Sequence, residues 1–429
     1  MNKSKIIAGI DVGSSKITTL IGTASEEGVK VAGIASVPSR GMRKGQIVDI
    51  EEAKQGIISS VEAAERMAGY NLSRVLVSVG GPYLASQNST GVVAVAEPEG
   101  EITPQDVERV VEAAKAISLP SSQEIIHVIP RSFTVDGQRG IKDPVGMSGV
   151  RLEVETHIIT GSLTAIRNLT KCILETGAEI QALVAGGLAA AESILTETEK
   201  ELGVVLVDIG GGVTNIVIFV EGAPFYTSVL PLGAKNVTND LAIGLRVSLE
   251  TAEKIKIALS AKEKKPTFPA EKEEEIKEKD EINLNDLGIT EETKTVSKKT
   301  LIEGIIKPRL NEIFTMVGLE IKKSGAAGLT PAGVVICGGG AQTVGIVQAA
   351  KRTLAMPVRI GNPQGISGLI DDIQTPDFAV ATGLLLYGAR EDFKSSTNPF
   401  FAQIGKKFPK IPISGTANKI WELLKSFLP

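Results

Sequence analysis

The chain is 429 residues long, 42% hydrophobic and 22% charged, with a formal net charge of −4. At roughly 150 residues per domain, that length predicts two or three folding units. The slight acidity argues against a nucleic-acid binder held by broad positive charge. Without an apolar run of about 18 residues, no transmembrane helix is expected.

The N-terminus passes from a basic start into a short apolar run and a glycine turn, unlike a secretory signal. Residues 5–12 and 17–23 read as two strands joined by Gly13-Ser14-Ser15-Lys16, and 29–37 as a third. Ala53, Ile57, Val61, Ala64 and Ala68 recur at helical spacing over 51–69, and Val75–Val79 follows as a buried strand. This order suits a mixed α/β domain. Between 84 and 161 the pattern changes to strands at 91–96, 125–129, 132–136 and 152–159. They surround one helix that opens on Thr103 as N-cap and Pro104 at its first position. This stretch reads as an inserted α+β module, with His127 and His157 as structural residues within it.

The first pattern resumes with helix 163–176, strand 179–184 and helix 187–200. A second strand–turn–strand unit occupies 203–220, followed by a strand at 225–230 and helices at 234–243 and 248–260. Residues 261–299 carry nine Lys against eleven Asp or Glu, with Pro266 and Pro269 near the start, and read as a solvated loop. Helix 300–322, strand 332–337, helix 342–354, strand 357–360 and helix 376–389 complete the globular part. Cys172 and Cys337 lie far apart, which excludes a disulfide framework or zinc site and fits a reducing cytoplasm.

Three glycine turns carry the chemistry. Ile10-Asp11-Val12-Gly13-Ser14-Ser15-Lys16 and Val207-Asp208-Ile209-Gly210-Gly211-Gly212 are near repeats, each a strand with Asp two residues before Gly, then a returning strand. On the second, Thr214 and Asn215 open the return. Glycines and small hydroxyls let backbone N–H groups crowd around phosphate oxygens. Asp11 and Asp208 can hold Mg²⁺, which keeps most of its waters and needs few carboxylates. Face to face, the two turns would close on the phosphates of one nucleotide. The third turn, Gly338-Gly339-Gly340-Ala341, follows a buried strand and suits the approach of a flat base to the backbone. None of the three fits GxxxxGK[ST] or a GxGxxG after a strand.

This triple resembles the actin-like ATPase superfamily, over most of residues 5–390. The resemblance implies an α/β, ribonuclease H-like, two-lobed fold with an ATP cleft between the lobes. Connecting helices around Leu183–Ile194 and Asp377–Gly388 resemble the family's as well. Helix 248–260 is similar to the adenosine-binding helix of chaperone ATPases. That likeness implies ribose contacts from Glu253 and Lys256, and Ile257 and Ser260 flanking adenine. Read without it, the helix is a surface helix with an i,i+3 Glu–Lys pair. One position departs from the superfamily, whose enzymes carry a Glu or Gln ahead of the small residues of the first connecting helix. Here Gly186 stands in that place. General-base assistance is typically worth about 10²–10⁴ in rate, so tight ATP binding with slow hydrolysis is expected and no catalytic residue is assigned. A turnover above about one per second, an ordinary enzyme value, would contradict this.

The C-terminal segment follows a linker-like stretch with Ser395, Ser396, Pro399, Pro409 and Pro412. From Thr416, Ile420, Trp421, Leu423, Leu424, Phe427 and Leu428 fall on one helical face. Trp421 is the only tryptophan, and its ring suits the headgroup boundary. Lys406, Lys407 and Lys410 lie just upstream, each able to contribute about 1 kcal/mol against anionic lipid. The segment is too short to span a bilayer but long enough to lie in its surface. The alternative is a helix that docks on its own core, against which the proline-bearing linker argues.

An actin-like core, an early inserted module and an amphipathic tail together resemble the FtsA family of bacterial cell-division proteins, across essentially the whole chain. The resemblance implies a first lobe of 1–83 and 162–201 with 378–393, an SHS2-like module at 84–161, and a second lobe of 202–240 and 310–377. A subdomain at 241–309, a linker at 394–415 and an amphipathic membrane helix at 416–429 complete the expected organisation. It further implies self-association into filaments, contacts of the module with later division proteins, and binding of the C-terminal peptide of the tubulin-like FtsZ. Arg309, with Lys298 and Lys299 beside it, would receive that acidic peptide. The expected place is the cytoplasmic face of the membrane at the division site, with no nucleic-acid partner. Two other readings stay open: a PilM-like scaffold of another membrane machine, and a sugar-kinase type phosphotransferase on the same fold.

Overall fold

The first sheet begins with β1 (Lys5–Val12), β2 (Lys16–Ser25) and β3 (Gly28–Pro38), three antiparallel strands whose buried residues are mostly apolar, Thr18 and Thr19 of β2 excepted. A short hairpin of β4 (Met42–Arg43) and β5 (Gln46–Ile47) leads to α1 (Ile50–Ala68) and then β6 (Arg74–Val79), parallel to β1. The helix starts where the Asp49 side chain accepts from the Glu52 N–H and stops at Gly69, in the left-handed region at φ 72°. The computed structural model describes residues 5–96, 100–263, 281–283, 295–369 and 373–390. The tail residues Ile420, Trp421, Leu423, Leu424, Phe427 and Leu428 lie outside the described residues, as does most of 261–294.

The inserted module holds β7 (Ala85–Ala94), α2 (Pro104–Ala114), β8 (Gln123–Val135), β9 (Gln138–Ile141) and β10 (Arg151–Ser162). Its antiparallel sheet runs β7-β10-β8-β9, and α2 buries Val110 and Ala114 against Phe133, Leu152 and Val154. At the start of α2, Thr103 Oγ1 accepts from the Asp106 N–H while the Asp106 carboxylate accepts from the Thr103 N–H. The Thr103 hydroxyl also donates to the Asp106 carboxylate at 2.7 Å, and that bond, with the one from the Thr103 N–H, holds the Asp106 carboxyl below the usual carboxylate range. Two expected strands, 125–129 and 132–136, are one strand. Pro130 and Arg131 sit at a register shift between Glu155 and Thr156 of β10, a bulge that absorbs the missing proline N–H. β7 begins earlier than its apolar pattern suggests, because its polar residues bond to a neighbouring strand, as described below.

After the module come α3 (Leu163–Leu174), β11 (Glu179–Ala185), α4 (Gly186–Ile194) and α5 (Glu197–Leu202). The single helix expected over 187–200 is two helices. Thr196 caps the second, its hydroxyl accepting from the Glu199 N–H and its own N–H donating to the Glu199 carboxylate.

The second sheet repeats the first. β12 (Val204–Ile209), β13 (Thr214–Val220) and β14 (Ala223–Leu230) are antiparallel; α6 (Ala234–Leu245) and α7 (Leu249–Glu263) follow. A three-residue pair, β15 (Glu281–Asn283) with β16 (Thr295–Ser297), precedes α8 (Lys298–Leu301). A π-turn at Ile302–Ile306 joins α8 to α9 (Lys307–Lys323). Pro308 explains the turn, since its nitrogen cannot donate, and the Lys307 N–H reaches instead to the Ile302 carbonyl. β17 (Val334–Cys337), α10 (Ile346–Leu354) and β18 (Val358–Ile360) complete this half. Helix α10 starts later than expected because Gly339–Gln342 forms a 3₁₀ turn and Gly345 takes φ 77°.

With β19 spanning Ile366–Gly368, the strand orders are β11-β6-β1-β2-β3-β19 and β18-β17-β12-β13-β14, so both halves add parallel strands outside the first strand of an antiparallel trio. The last strand, β19 (Ile366–Gly368), corrects one expectation: grouped by sequence with the second lobe (310–377), it pairs in parallel with β3 of the first sheet. A 3₁₀ turn at Pro376–Phe378 then opens α11 (Ala379–Arg390), which packs on α4, β1 and β2.

The module grips both halves, and each histidine sits at one joint. His127 Nε2 accepts from the Ala185 N–H at 3.0 Å, where β11 meets α4. His157 Nδ1 lies 2.7 Å from Asn88 Oδ1, which fixes it as donor and leaves Nε2 to accept from the Thr227 hydroxyl of β14 at 2.9 Å. Ser86 Oγ donates to the Thr227 carbonyl and accepts from the Thr227 N–H along the same edge. Burial pushes His127 down to about 4 and His157 to about 3, the latter helped by Arg131 and His127. Both rings are therefore neutral when folded, whereas an unfolded histidine titrates near about 6.5. Because the unfolded chain then binds more protons, stability should be full above pH ~6.5 and fall progressively as pH drops toward about 4. Melting temperature measured against pH checks this, and His127→Gln should flatten the slope. A stability that is level from pH 7 to 4.5 would contradict it.

Candidate functional site

One cleft of about 820 Å³ opens between the two sheets, and all three glycine turns line it. The first two turns are built alike. Asp11 pairs in register with Thr18 and Asp208 with Asn215; the Gly13 N–H closes on the Lys16 carbonyl at 3.1 Å, the Gly210 N–H on that of Val213 at 2.9 Å. They face one another in contact: a Cβ on Gly211 would lie 2.8 Å from Ser15 Cβ, and one on Gly212 2.9 Å from Ser14 Cβ. Larger residues would wedge the turns apart. Ser14 Oγ accepts from the Gly45 N–H at 2.8 Å, which anchors the first turn.

The two carboxylates share the cleft, Asp208 buried and Asp11 half-buried. Asp11 Oδ1 accepts from Ser78 Oγ at 2.7 Å and Asp208 Oδ2 from Asn215 Nδ2 at 2.8 Å. Burial raises the Asp11 carboxyl against the pull of Ser78 and Lys16. Burial pushes Asp208 up to about 6, opposed by the Asn215 bond and reinforced by the charge of Asp11. Asn215 Oδ1, also buried, meets no donor among the described residues. Two desolvated carboxylates and an orphaned amide oxygen form a donor set that fits a hydrated divalent cation.

The third turn closes the floor. Gly338 takes φ 81°, and a Cβ there would lie 2.3 Å from Asp208 Oδ1, so only glycine fits beside that carboxylate. From α7, Glu253, Lys256, Ile257 and Ser260 reach the cleft wall. The Lys256 ammonium donates to Glu253 at 2.7 Å and to Thr238 Oγ1 at 2.9 Å. Ser260 Oγ donates to the Lys256 carbonyl and accepts from the Val344 N–H, tying α7 to the segment after the third turn.

Of the expected cofactor residues, Asp11, Gly13, Ser14, Ser15, Lys16, Asp208, Gly210, Gly211, Gly212, Asn215, Glu253, Lys256, Ile257, Ser260, Gly338, Gly339 and Gly340 line the cleft. Two do not. Thr214 is fully buried and its hydroxyl donates to the Leu232 carbonyl, because strand alternation turns it away from Asn215. Ala341 points into the second-half core, since the 3₁₀ turn rotates it inward.

Sequence reasoning missed Asp377, Gln342 and Lys235. Asp377 Oδ2 accepts from Lys16 Nζ at 2.5 Å, and its Oδ1 accepts from Gln342 Nε2 at 2.8 Å. Burial alone would raise the Asp377 carboxyl; Lys16 brings it below the usual range. The signal available was an acid directly after Pro376, at the mouth of a connecting helix. Lys235 Nζ donates to the Ser14 carbonyl at 2.7 Å.

Gly186 lines the cleft at the start of α4, with a bare backbone where a water-orienting side chain would stand. Lys298, half-buried, and Lys299, exposed, open α8, and neither lines the cleft. Arg309 is committed within the chain. Its Nε and Nη2 donate to the two oxygens of Asp240 at 2.5 and 2.9 Å, and Nη1 donates to Glu312. An acidic peptide would have to compete with Asp240 for this bidentate fork.

A family model described as the SHS2 domain inserted in FTSA matches residues 81–160, and one described as cell division protein FtsA matches 205–383. The cell division protein FtsA of Pseudomonas aeruginosa is 38% identical over 418 residues, 96% of each chain. That of Bacillus subtilis is 38% identical over 390 residues, 91% of this chain and 85% of its own. Among solved structures, a PilM–PilN type IV pilus biogenesis complex matches with TM-score 0.61 at 18% identity, covering 90% of this chain and 99% of that one. MreB5 of Spiroplasma citri bound to AMPPNP matches at 0.52 and 13%, covering 94% and 99%. These two likenesses establish the actin-like fold. The sequence relatives go further: the chain belongs to the FtsA family of bacterial cell division proteins.

Proposed function

We propose that the chain is an ATP-binding cytoskeletal protein that polymerises and tethers FtsZ filaments to the cytoplasmic membrane. The observation that carries the nucleotide part is the pair of Asp-bearing hairpins, set in equivalent registers and facing one another across a single cleft. ATP fits with its phosphates between the two turns, its ribose near Glu253 and Lys256, and its base near Ile257, Ser260 and the third turn. Mg²⁺ held by Asp11 and Asp208 would neutralise phosphate charge there. The AMPPNP in the MreB5 structure, on the same fold, supports this reading. With glycine at 186 the chain orders no attacking water through that position, so turnover should stay below about one per second. ATP then acts as a clamp between the halves rather than as a fuel.

The tethering part rests on family membership and on the tail sequence. A single short amphipathic helix binds weakly, whereas many on one filament bind with high avidity. Residues 241–309, with Lys298, Lys299 and Arg309, are the proposed surface for the FtsZ peptide. The module at 84–161 is proposed to meet neighbouring copies and later division proteins. Deleting residues 416–429 should abolish binding to anionic vesicles while leaving ATP affinity intact. Loss of both would mean that the tail belongs to the fold. A phosphotransferase role is disfavoured, since nothing in it would use the amphipathic tail.

A further inference from the structure

Lys235 is placed at a cost. As the second residue of α6, it puts a cation at the positive end of a helix dipole. Burial lowers its basicity, Glu253 opposes this and Lys256 adds to it. Its backbone N–H donates to the Gly211 carbonyl of the second glycine turn, and its ammonium crosses to the Ser14 carbonyl of the first at 2.7 Å. The residue therefore straps together the two turns that contact each other. Its partner is a neutral carbonyl, and among the described residues no carboxylate pairs with it. Lys16, the other cation at the first turn, is already neutralised by Asp377 at 2.5 Å. A lysine ammonium carries three donors, and the Ser14 carbonyl takes one.

We propose that Lys235 reads the phosphate chain of the bound nucleotide: it straps the two glycine turns when no phosphate is present and turns to a phosphate oxygen when one is. This rests on the nucleotide reading above and names the residue that makes affinity depend on phosphate. A charge-assisted bond to phosphate is stronger than the bond to a neutral carbonyl, so binding releases the strap and couples phosphate occupancy to movement of one half against the other.

The test uses the full-length chain and measures dissociation constants for ATP, ADP and adenosine in Mg²⁺ buffer. Lys235→Met keeps the aliphatic stem and removes the charge. It should weaken ATP and ADP by about tenfold or more and leave adenosine unchanged, while Lys235→Arg stays within about threefold of wild type for all three. Adenosine affinity also reports that the variant is folded. Equal weakening of all three ligands, or no change in any, would overturn the proposal and leave Lys235 as a structural strap. A wild-type chain that binds none of the three would overturn the nucleotide reading, and this one with it.

Discussion

Asp208→Ala is expected to weaken Mg-ATP binding about 100-fold, the upper range for residues that hold a bound metal through its surroundings. The carboxylate is buried, faces Asp11 and accepts from Asn215. Its removal takes away half of the anionic pair proposed for the cation and leaves Asn215 with neither its acceptor nor a donor. The diagnostic readout is magnesium dependence. Wild-type affinity for ATP should fall when Mg²⁺ is chelated, and the affinity of the variant should not change further. Unchanged Mg-ATP affinity in Asp208→Ala, measured calorimetrically, would refute the metal role. Asp208→Asn separates charge from shape: it should lose nearly as much, because it preserves volume but not charge.

Gly383→Ala is expected to destabilise the fold by about 3 kcal/mol, at the top of the usual range for overpacking. Glycine sits here inside α11, where alanine is ordinarily favoured by about 1 kcal/mol. The contact reverses that preference. A Cβ on Gly383 would lie 1.7 Å from the Ala189 carbonyl oxygen and 2.4 Å from its carbon. Both are backbone atoms, so no rotamer change relieves the clash, and α4 and α11 must move apart. These helices also carry Gly186 and follow Asp377 at the cleft, so ATP affinity should fall with stability. Gly304→Ala serves as the control: among the described residues nothing lies within 4 Å of a Cβ there, so the helix preference should leave it unchanged or up to about 1 kcal/mol more stable. Chemical denaturation of both variants checks the pair. A Gly383→Ala chain within about 0.5 kcal/mol of wild type would show that the crossing adjusts freely.

The parts of the fold legible in the sequence were those with strong local signals. Alternating or continuous apolar runs marked β1, β6 and β12, and the Thr103–Pro104 start marked α2. The repeated Asp–x–Gly hairpins pointed to one cleft because their chemistry is complete within a few residues. What escaped depended on partners remote in sequence. β19 has three residues and owes its existence to the β3 edge. Asp377 acquires its role from Lys16 and Gln342, and Arg309 loses its free charge to Asp240. Thr214 and Ala341 were misplaced by a smaller cause: a motif names the turn, but strand alternation and a 3₁₀ twist decide which of its residues face the ligand.

Whether this chain bridges FtsZ to lipid is decided by vesicle recruitment. Purified FtsZ would be sedimented with anionic liposomes and ATP in the presence of the full-length chain, the chain truncated after Ser414, or neither. FtsZ is expected in the vesicle pellet only with the full-length chain. Vesicle binding by the chain with FtsZ left in solution would contradict the bridge, and an intact bridge in the truncated chain would contradict the membrane role of the tail.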